Sequence, residues 1–297
     1  MPFLLALMGP TASGKTDLAE RLAERFGAQL VNADAFQVYR GMDIGTGKPS
    51  DKVKYKLLDI AEPWEQFGVG AWVRLAADAL GKIWSEGRPA IVVGGSGLYV
   101  RALFEGYDIM GAAPDPDTRR QLMEEEQTFG VAVLFERLRQ LDPEAAGRVD
   151  SANPRRVLRA LEKALCPSPP IRLELPPFQR YKIGIDPPAE VLIERIEHRL
   201  DHMLASGWVD EVRRLRGDAQ VKIDSPGMKA IGYRTLWEFL DGATTLEEAR
   251  GLIGTATRQY AKRQRTWLRS EPGLETLEWG AGIEGIAGRL VSGFASK

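Results

Sequence analysis

Residues 9–16 read GPTASGKT. A glycine, four residues, then Gly-Lys-Thr is the spacing of a phosphate-binding loop. In such a loop the backbone N–H groups of Gly9, Pro10's successor Thr11, Ala12, Ser13 and Gly14 face anion oxygens, and the dipole of the following helix favours negative charge at its start. Lys15 then reaches the phosphates, and the Thr16 hydroxyl helps hold a magnesium ion. The open question is which phosphates are held, and whether a phosphoryl group is what moves.

The flanks of the loop decide the fold. Phe3–Met8 (FLLALM) is a short continuous apolar run, the pattern of a strand buried on both faces of a parallel sheet. It lacks a basic leader and runs straight into the glycine loop, so it reads as a strand and not a signal peptide. Behind the loop, Leu18, Ala19, Leu22, Ala23 and Phe26 recur at helical spacing. Further strands are expected at Ala28–Asp34, Lys56–Ile60, Ala90–Gly95, Tyr181–Asp186 and Glu275–Trp279, and helices at Val69–Trp84, Ala189–Leu215 and Leu246–Leu268. Strand and helix alternation of this kind predicts an α/β fold, a P-loop NTPase-like parallel sheet flanked by helices. Between Pro114 and Pro170 the strand signal disappears, and Asp117–Leu165 reads as several helices. The expected organisation is an α/β core of residues 1–114 and 171–297 with a mainly helical insertion domain at 115–170.

Composition sets the outer limits. With 44% hydrophobic and 27% charged residues, the chain of 297 has ordinary globular chemistry, which argues against disorder. A net charge of -1 means that any nucleic-acid partner must be met by local basic patches. A single cysteine, Cys166, excludes an internal disulfide and fits a reducing compartment. No apolar run nears the roughly 20 residues of a membrane span. A cytoplasmic, monomeric protein without membrane contact is expected. His198 and His202 lie four apart, but Arg199 stands where the zinc-protease pattern wants glutamate, so the pair reads as surface or packing.

Two further segments share the carboxyl edge of the sheet with the loop, where open parallel sheets bind ligands. Asp34 ends the second strand and faces the space before the loop. It reads either as a base accepting a proton from a nucleophile or as a turn residue. The strand Ala90–Gly95 ends in two glycines, where a nucleotide-hydrolysing enzyme often has an aspartate for Mg²⁺. Ser96 follows, able to hydrogen-bond a ligand.

Basic helix faces complete the pattern. Gly251–Ser270 contains no acidic residue, while Arg258, Lys262, Arg265 and Arg269 fall four, three and four apart, on one helix face. Arg155, Arg159 and Lys163 form a second face in the insertion, with only Glu162 among them. Such unbalanced faces suit a phosphate backbone, although from charge alone a solvated face is as good a reading.

Together GPTASGKT, NADAFQVYRGMDIGTGKP, LLDIAEP, VVGGSGLYVRAL, NPRRVLRALE, IGIDPP, MKAIGYR and RQYAKRQRTWLR resemble the tRNA dimethylallyltransferase (isopentenyl-diphosphate:tRNA transferase) family, over residues 9 to about 269. The resemblance implies transfer of a five-carbon allylic group from dimethylallyl diphosphate to the exocyclic amine of the adenosine 3′ to the anticodon. Asp34 matches the family's general base. Gly9–Thr16 with Mg²⁺ would stabilise the departing diphosphate. The target base would be flipped into a channel lined by Asp34, Ala35, Phe36, Gln37 and Ser96. By the same match, Arg119, Arg155, Arg156, Val157, Leu158, Arg159, Lys262, Arg263, Gln264, Arg265, Thr266 and Trp267 would contact the tRNA anticodon stem-loop, with the insertion gripping it.

The chain departs from the family pattern in places. Ala35 replaces a usual serine, Ser96 a usual threonine, and Tyr55-Lys56 a common two-histidine stretch. The basic residue expected on the diphosphate is Lys229, a point charge and not a bidentate clamp, with Arg234 the alternative. Three rival readings remain: an adenylate-type isopentenyltransferase acting on a free nucleotide, a phosphate-loop nucleoside kinase, and a non-catalytic RNA-binding ATPase.

Overall fold

All six residues of strand β1 (Phe3–Met8) are buried, as a strand covered on both faces requires. The computed structural model describes residues 1–105, 115–167, 175–277 and 279–280. In chain order β1 is followed by α1 (Lys15–Phe26), β2 (Gln29–Asn32), β3 (Tyr55–Lys56), α2 (Val69–Ser85), β4 (Ala90–Gly94) and α3 (Gly97–Glu105). Next come α4 (Pro116–Phe129), α5 (Val131–Leu141), α6 (Pro143–Arg148) and α7 (Pro154–Leu165). The chain ends its described course with β5 (Gln179–Ile185), α8 (Ala189–Ala205), α9 (Trp208–Gly217), α10 (Tyr233–Leu240), α11 (Leu246–Arg269) and β6 (Leu274–Leu277).

Contacts divide the chain into two compact units, residues 1–105 with 174–297, and residues 106–173. In the first, the strands form one parallel sheet in the order β3-β2-β4-β1-β5-β6. The chain leaves β1 toward β2 on one side and later crosses from β4 to β5 on the other. That reversal of winding opens a crevice at the carboxyl ends of β1 and β4. Leu5, Leu7, Leu22, Leu30, Ile91 and Ile183 fill one layer between sheet and helix. The sheet and its helical cover match the expected α/β class.

The third strand is a correction. Lys56–Ile60 reads as an apolar strand, yet pairing with β2 stops at Lys56. Leu57 and Asp59 have φ of 66° and 53°, left-handed values that no strand sustains. Asn32 Nδ2 donates to the Leu57 carbonyl (3.1 Å), and Lys48 Nζ to Asp59 Oδ1 (2.5 Å), so tertiary bonds hold the twist. The last strand begins one residue earlier than expected and ends at Leu277; Glu278 lies outside the described residues.

The described part of the second unit is helical. Asp142 caps α6 by accepting the Ala145 N–H, and Asn153 caps α7 by accepting that of Arg156, each just before a proline at the first helical position. Leu122, Leu134, Leu138, Val157 and Leu161 form its core. The expected boundaries at Pro114 and Pro170 lie outside the described residues.

Candidate active site

The phosphate loop joins β1 to α1, and its shape follows from two left-handed residues, Ala12 (φ 62°) and Gly14 (φ 84°). Gly14 sits at the N-cap of α1, where a side chain would be strained and would press on the Arg195 guanidinium. The Pro10 carbonyl accepts from both the Ser13 N–H and Lys15 Nζ, each at 3.2 Å. The Ser13 hydroxyl is buried and has no hydrogen-bond partner among the described residues.

A cavity of about 270 Å³ opens over this loop. Water takes roughly 30 Å³ per molecule in the liquid, so this is room for a ligand and not for a trapped solvent molecule. Thr11, Lys15, Thr16, Asp34, Phe36, Gln37, Lys229, Arg263 and Gln264, all named from sequence, line it. A smaller cavity is lined by Ala12, Ser13, Gly14, Lys15 and Thr16 with Asp17, Arg195 and Arg199.

Asp34 is held by its neighbours. Its N–H donates to Asn32 Oδ1 (3.1 Å), and its Oδ1 accepts the Phe36 N–H (2.9 Å). Asn32 is buried, and its carbonyl is fixed by Trp72 Nε1 at 2.9 Å. Asp34 therefore shapes a turn, the second of its two sequence readings, and also lines the cavity. Ser96 Oγ accepts the Ala35 N–H (3.0 Å), which ties the β4 corner to that turn. Gln37 Nε2 donates to the carbonyls of Thr46 and Gly47, both at 3.1 Å.

Sequence reasoning missed a second cation of the site. Arg199 of α8 lines both cavities, and at Gly47 (φ 61°) a Cβ would overlap its guanidinium. The signal was present: Ile196, Leu200 and Met203 share its helix face and line the same cavity, so one arginine interrupts an apolar stripe. Burial pushes Lys15 down to about 8, Arg199's charge pushes the same way, and Asp34 opposes both. Burial also lowers Arg199 against the pull of Asp34 and Asp17. An anion entering here would relieve the repulsion between two part-buried cations. Burial raises the Tyr260 hydroxyl, with Asp34 adding to it, so it stays protonated beside the carboxylate.

A further buried group also escaped sequence reading. Glu211 accepts the N–H groups of Asp43 and Ile44 (both 2.7 Å), that of Gly45 (3.2 Å) and the Tyr233 hydroxyl (2.6 Å). It anchors the loop whose Gly45, Thr46 and Gly47 form one wall of the cavity.

Several expected site residues are placed otherwise. Arg234 is exposed and paired with Glu238 (3.3 Å), away from the cavity that Lys229 lines. Two of the four cations on the α11 face, Arg258 and Arg265, are balanced by acids from distant segments. Glu197 of α8 pairs with Arg258, and Asp186 after β5 pairs with Arg265 at 2.6 Å. Trp267 packs against Gly97 and donates Nε1 to Glu271 Oε2 (3.2 Å), and the Thr266 hydroxyl donates to the Lys262 carbonyl. Gln264 is buried, bonded to Thr11 and Gly95. Lys262 and Arg263 are exposed, the latter over the Tyr260 ring. In the second unit Val157 is fully buried and offers no surface, while Leu158 is partly buried against the same core. Arg155 and Arg156 are exposed, while Arg159 (2.8 Å) and Arg119 (3.5 Å) share the buried Glu162.

The donor set suits magnesium. Among the described residues no cluster of three His, Cys, Asp or Glu converges on one point. A hydroxyl, Thr16, beside a phosphate loop is what a hard cation uses when the ligand's own oxygens and water complete its shell. Among those residues, too, no helix is long and apolar enough to cross a membrane.

Comparison with known proteins agrees with this geometry. The IPP transferase family model matches residues 37–271, and an isopentenyl transferase model matches residues 3–57. A tRNA dimethylallyltransferase from Geobacter sulfurreducens is 41% identical over 299 residues, spanning 96% of this chain and 94% of that one. The tRNA dimethylallyltransferase of Xanthomonas axonopodis pv. citri is 42% identical, across 91% of this chain and 88% of its own. Among solved structures, the full-length tRNA isopentenylpyrophosphate transferase from Bacillus halodurans superposes with a TM-score of 0.72 at 34% identity, covering 98% of this chain and 96% of that one. A eukaryotic dimethylallyltransferase acting on tRNA, 22% identical with a TM-score of 0.79 over 100% of this chain and 80% of its own, shares the fold. The phosphate loop, the carboxylate across from it and these matches over nearly the full length lead to one assignment: this chain belongs to the IPP transferase family, that of the tRNA dimethylallyltransferases.

Proposed function

We propose that this chain transfers the dimethylallyl group of dimethylallyl diphosphate to the exocyclic amine of the adenosine 3′ to the anticodon of tRNA. The observation that carries the reading is the composition of one cavity. At its floor lie Lys15, Thr16 and Arg199, which suit a diphosphate; Asp34 faces them; and Ile196, Leu200, Met203, Ile231 and Ile253 supply an apolar wall. A nucleotide γ-phosphate has no use for that wall, but a five-carbon chain does.

The chemistry follows from the groups present. An adenine amine is a poor nucleophile because its lone pair is delocalised into the ring. As that lone pair forms the new N–C bond, the allylic C–O bond breaks and its electron pair leaves on the diphosphate. Asp34 accepts the amine proton and later returns it to solvent. Its carboxylate is aimed by the Phe36 N–H, and Asn32 holds its backbone N–H, so no reorientation is needed. Lys15, Arg199 and the loop N–H groups stabilise the charge that gathers on the leaving group, and this charge exists mainly in the transition state and after it. A magnesium ion held by Thr16 and the diphosphate oxygens would add neutralising charge at the same place. Exposed Lys262, Arg263, Arg155 and Arg156 provide cations for the tRNA backbone.

The test uses labelled dimethylallyl diphosphate with either tRNA or AMP, and mass analysis of the nucleosides. Label on tRNA, with a prenylated adenosine and released diphosphate, is expected. Label on AMP alone supports the free-nucleotide rival, whose phosphate-loop half the isopentenyl transferase match at residues 3–57 also covers. ADP formation from ATP would indicate a kinase instead.

A further inference from the structure

Gln264 lies on α11 between the exposed Arg263 and the paired Arg265, yet its own side chain is turned inward and only 9% exposed. Its amide is used at both ends. Oε1 accepts the Thr11 N–H at 2.8 Å, and Nε2 donates to the Gly95 carbonyl at 3.0 Å. The fit is close enough that a Cβ on Gly95 would overlap Nε2. One side chain thus ties the phosphate loop to the carboxyl end of β4 and to the helix carrying Lys262 and Arg263.

We propose that Gln264 is a positioning residue for the diphosphate, holding the Pro10–Thr11 peptide in the shape that receives it, and that it does not contact nucleic acid. The identity of the diphosphate as a substrate group rests on the function proposed above. The loop needs such a support. Ala12, next to Thr11, is left-handed at φ 62°, a conformation that is costly for a non-glycine residue and persists only where its surroundings over-determine it. Inside the loop, the Pro10 carbonyl is already shared by the Ser13 N–H and Lys15 Nζ. Gln264 gives Thr11 its acceptor from outside. Remove it, and Thr11 loses that partner and Ala12 is free to relax toward an ordinary conformation, turning loop N–H groups away from the anion. The Thr11 N–H is also spoken for, so the oxygens of the diphosphate are met by the N–H groups from Ala12 onward.

The test is Gln264→Met, which keeps side-chain length and removes both hydrogen bonds. Binding of inorganic diphosphate is measured by calorimetry, tRNA binding by filter retention without diphosphate, and kcat and KM by prenyl transfer. The diphosphate Kd and the KM for the allylic diphosphate should each rise about tenfold, with kcat within about twofold and the tRNA Kd unchanged; tenfold corresponds to about 1.4 kcal/mol. A raised tRNA Kd with normal diphosphate binding overturns the proposal, as does a lower melting point with both affinities intact. Gly95→Ala gives a second route: its methyl displaces the amide while leaving Gln264 in the chain. It should reproduce the loss of diphosphate affinity, and wild-type binding in this variant overturns the proposal as well. The diphosphate measurement needs no group transfer. A wild-type protein that binds diphosphate but leaves tRNA unmodified rejects the function proposed above without touching this inference.

Discussion

Glu211 and Tyr233 are joined by a 2.6 Å hydrogen bond in which the buried hydroxyl donates to the buried carboxylate. The same carboxylate holds three successive N–H groups of the loop beside Arg199 and Gln37. Burial, and then the Glu211 charge, push the Tyr233 hydroxyl well above its usual range, so it remains a donor at any working pH. Tyr233→Phe should cost about 2 kcal/mol, the value of a bond to a buried charged group. Glu211→Ala should cost more, because three loop N–H groups lose their acceptor. Melting curves check the order, and a Tyr233→Phe protein as stable as wild type would show that the bond contributes nothing.

Asp34 has two jobs, and one substitution separates them. Asp34→Asn keeps an oxygen for the Phe36 N–H and so preserves the turn, but removes the base. The turnover number should fall about 10²- to 10⁴-fold, the usual range for a lost general base, with tRNA affinity within about threefold of wild type. Asp34→Ala should lose tRNA affinity as well, since the turn then opens. Equal losses of turnover and affinity in the Asn variant would make Asp34 a binding residue only.

Lys15 gives the site a pH dependence. Its folded pKa of about 8 lies below the ordinary lysine value, so the unfolded chain binds more protons between roughly pH 8 and 10.5. The penalty of burying this charge is therefore full below pH 8 and vanishes as the pH rises to about 10.5. Lys15→Met should melt higher than wild type at pH 7, by at most about 3 kcal/mol of stability, with the advantage shrinking at alkaline pH. Diphosphate binding should favour the protonated amine, so wild-type affinity should weaken above pH 8 with proton uptake on binding. Calorimetry in buffers of different ionisation enthalpy reads that uptake directly, and zero uptake at pH 8 would rule it out.

What was legible in the sequence is local. The strand, loop and helix around Gly9–Thr16 follow from an apolar run, a glycine spacing and a 3.6-residue period, and Asp34 from its place after β2. What escaped depends on contacts between distant segments. Arg199 interrupts an apolar stripe of α8, but what it faces is fixed only when the fold brings α8 to the phosphate loop. Arg258 and Arg265 look unpaired because an i,i+4 rule sees only local acids, while their partners Glu197 and Asp186 arrive from α8 and from the end of β5. Lys56–Ile60 has a strand's composition, and the bonds from Asn32 and Lys48 override it.

Arg199 and Arg234 offer a clean contrast for the second cation of the site. Arg199 lines the cavity against Gly47, whereas Arg234 is exposed and paired with Glu238. Arg199→Ala should raise the KM for the allylic diphosphate by about ten- to a hundredfold, the scale of one charge-assisted contact to phosphate. Arg234→Ala should stay within about twofold. Arg199→Lys keeps the charge but loses the planar fork, and should fall between. The reverse order in steady-state assays would return the role to the segment after Lys229.

The basic helix α11 divides into structural and exposed cations, and salt dependence distinguishes them. Lys262 and Arg263 are exposed, whereas Arg265 is half-buried against Asp186. Each phosphate contact releases counterions and adds about 0.7 to 0.9 to the slope of log affinity against log salt. Lys262→Ala with Arg263→Ala should therefore weaken tRNA binding and flatten that slope by about 1.5. Arg265→Ala should leave the slope unchanged but lower the melting point, because Asp186 then remains part-buried without its partner, a loss that exceeds the worth of an exposed pair. Filter-binding titrations from low to moderate salt, run beside melting curves, measure both quantities in each variant. If Arg265→Ala flattens the slope as much as the double variant does, the Asp186 pair must open on binding, and the division between structural and exposed cations on this helix fails.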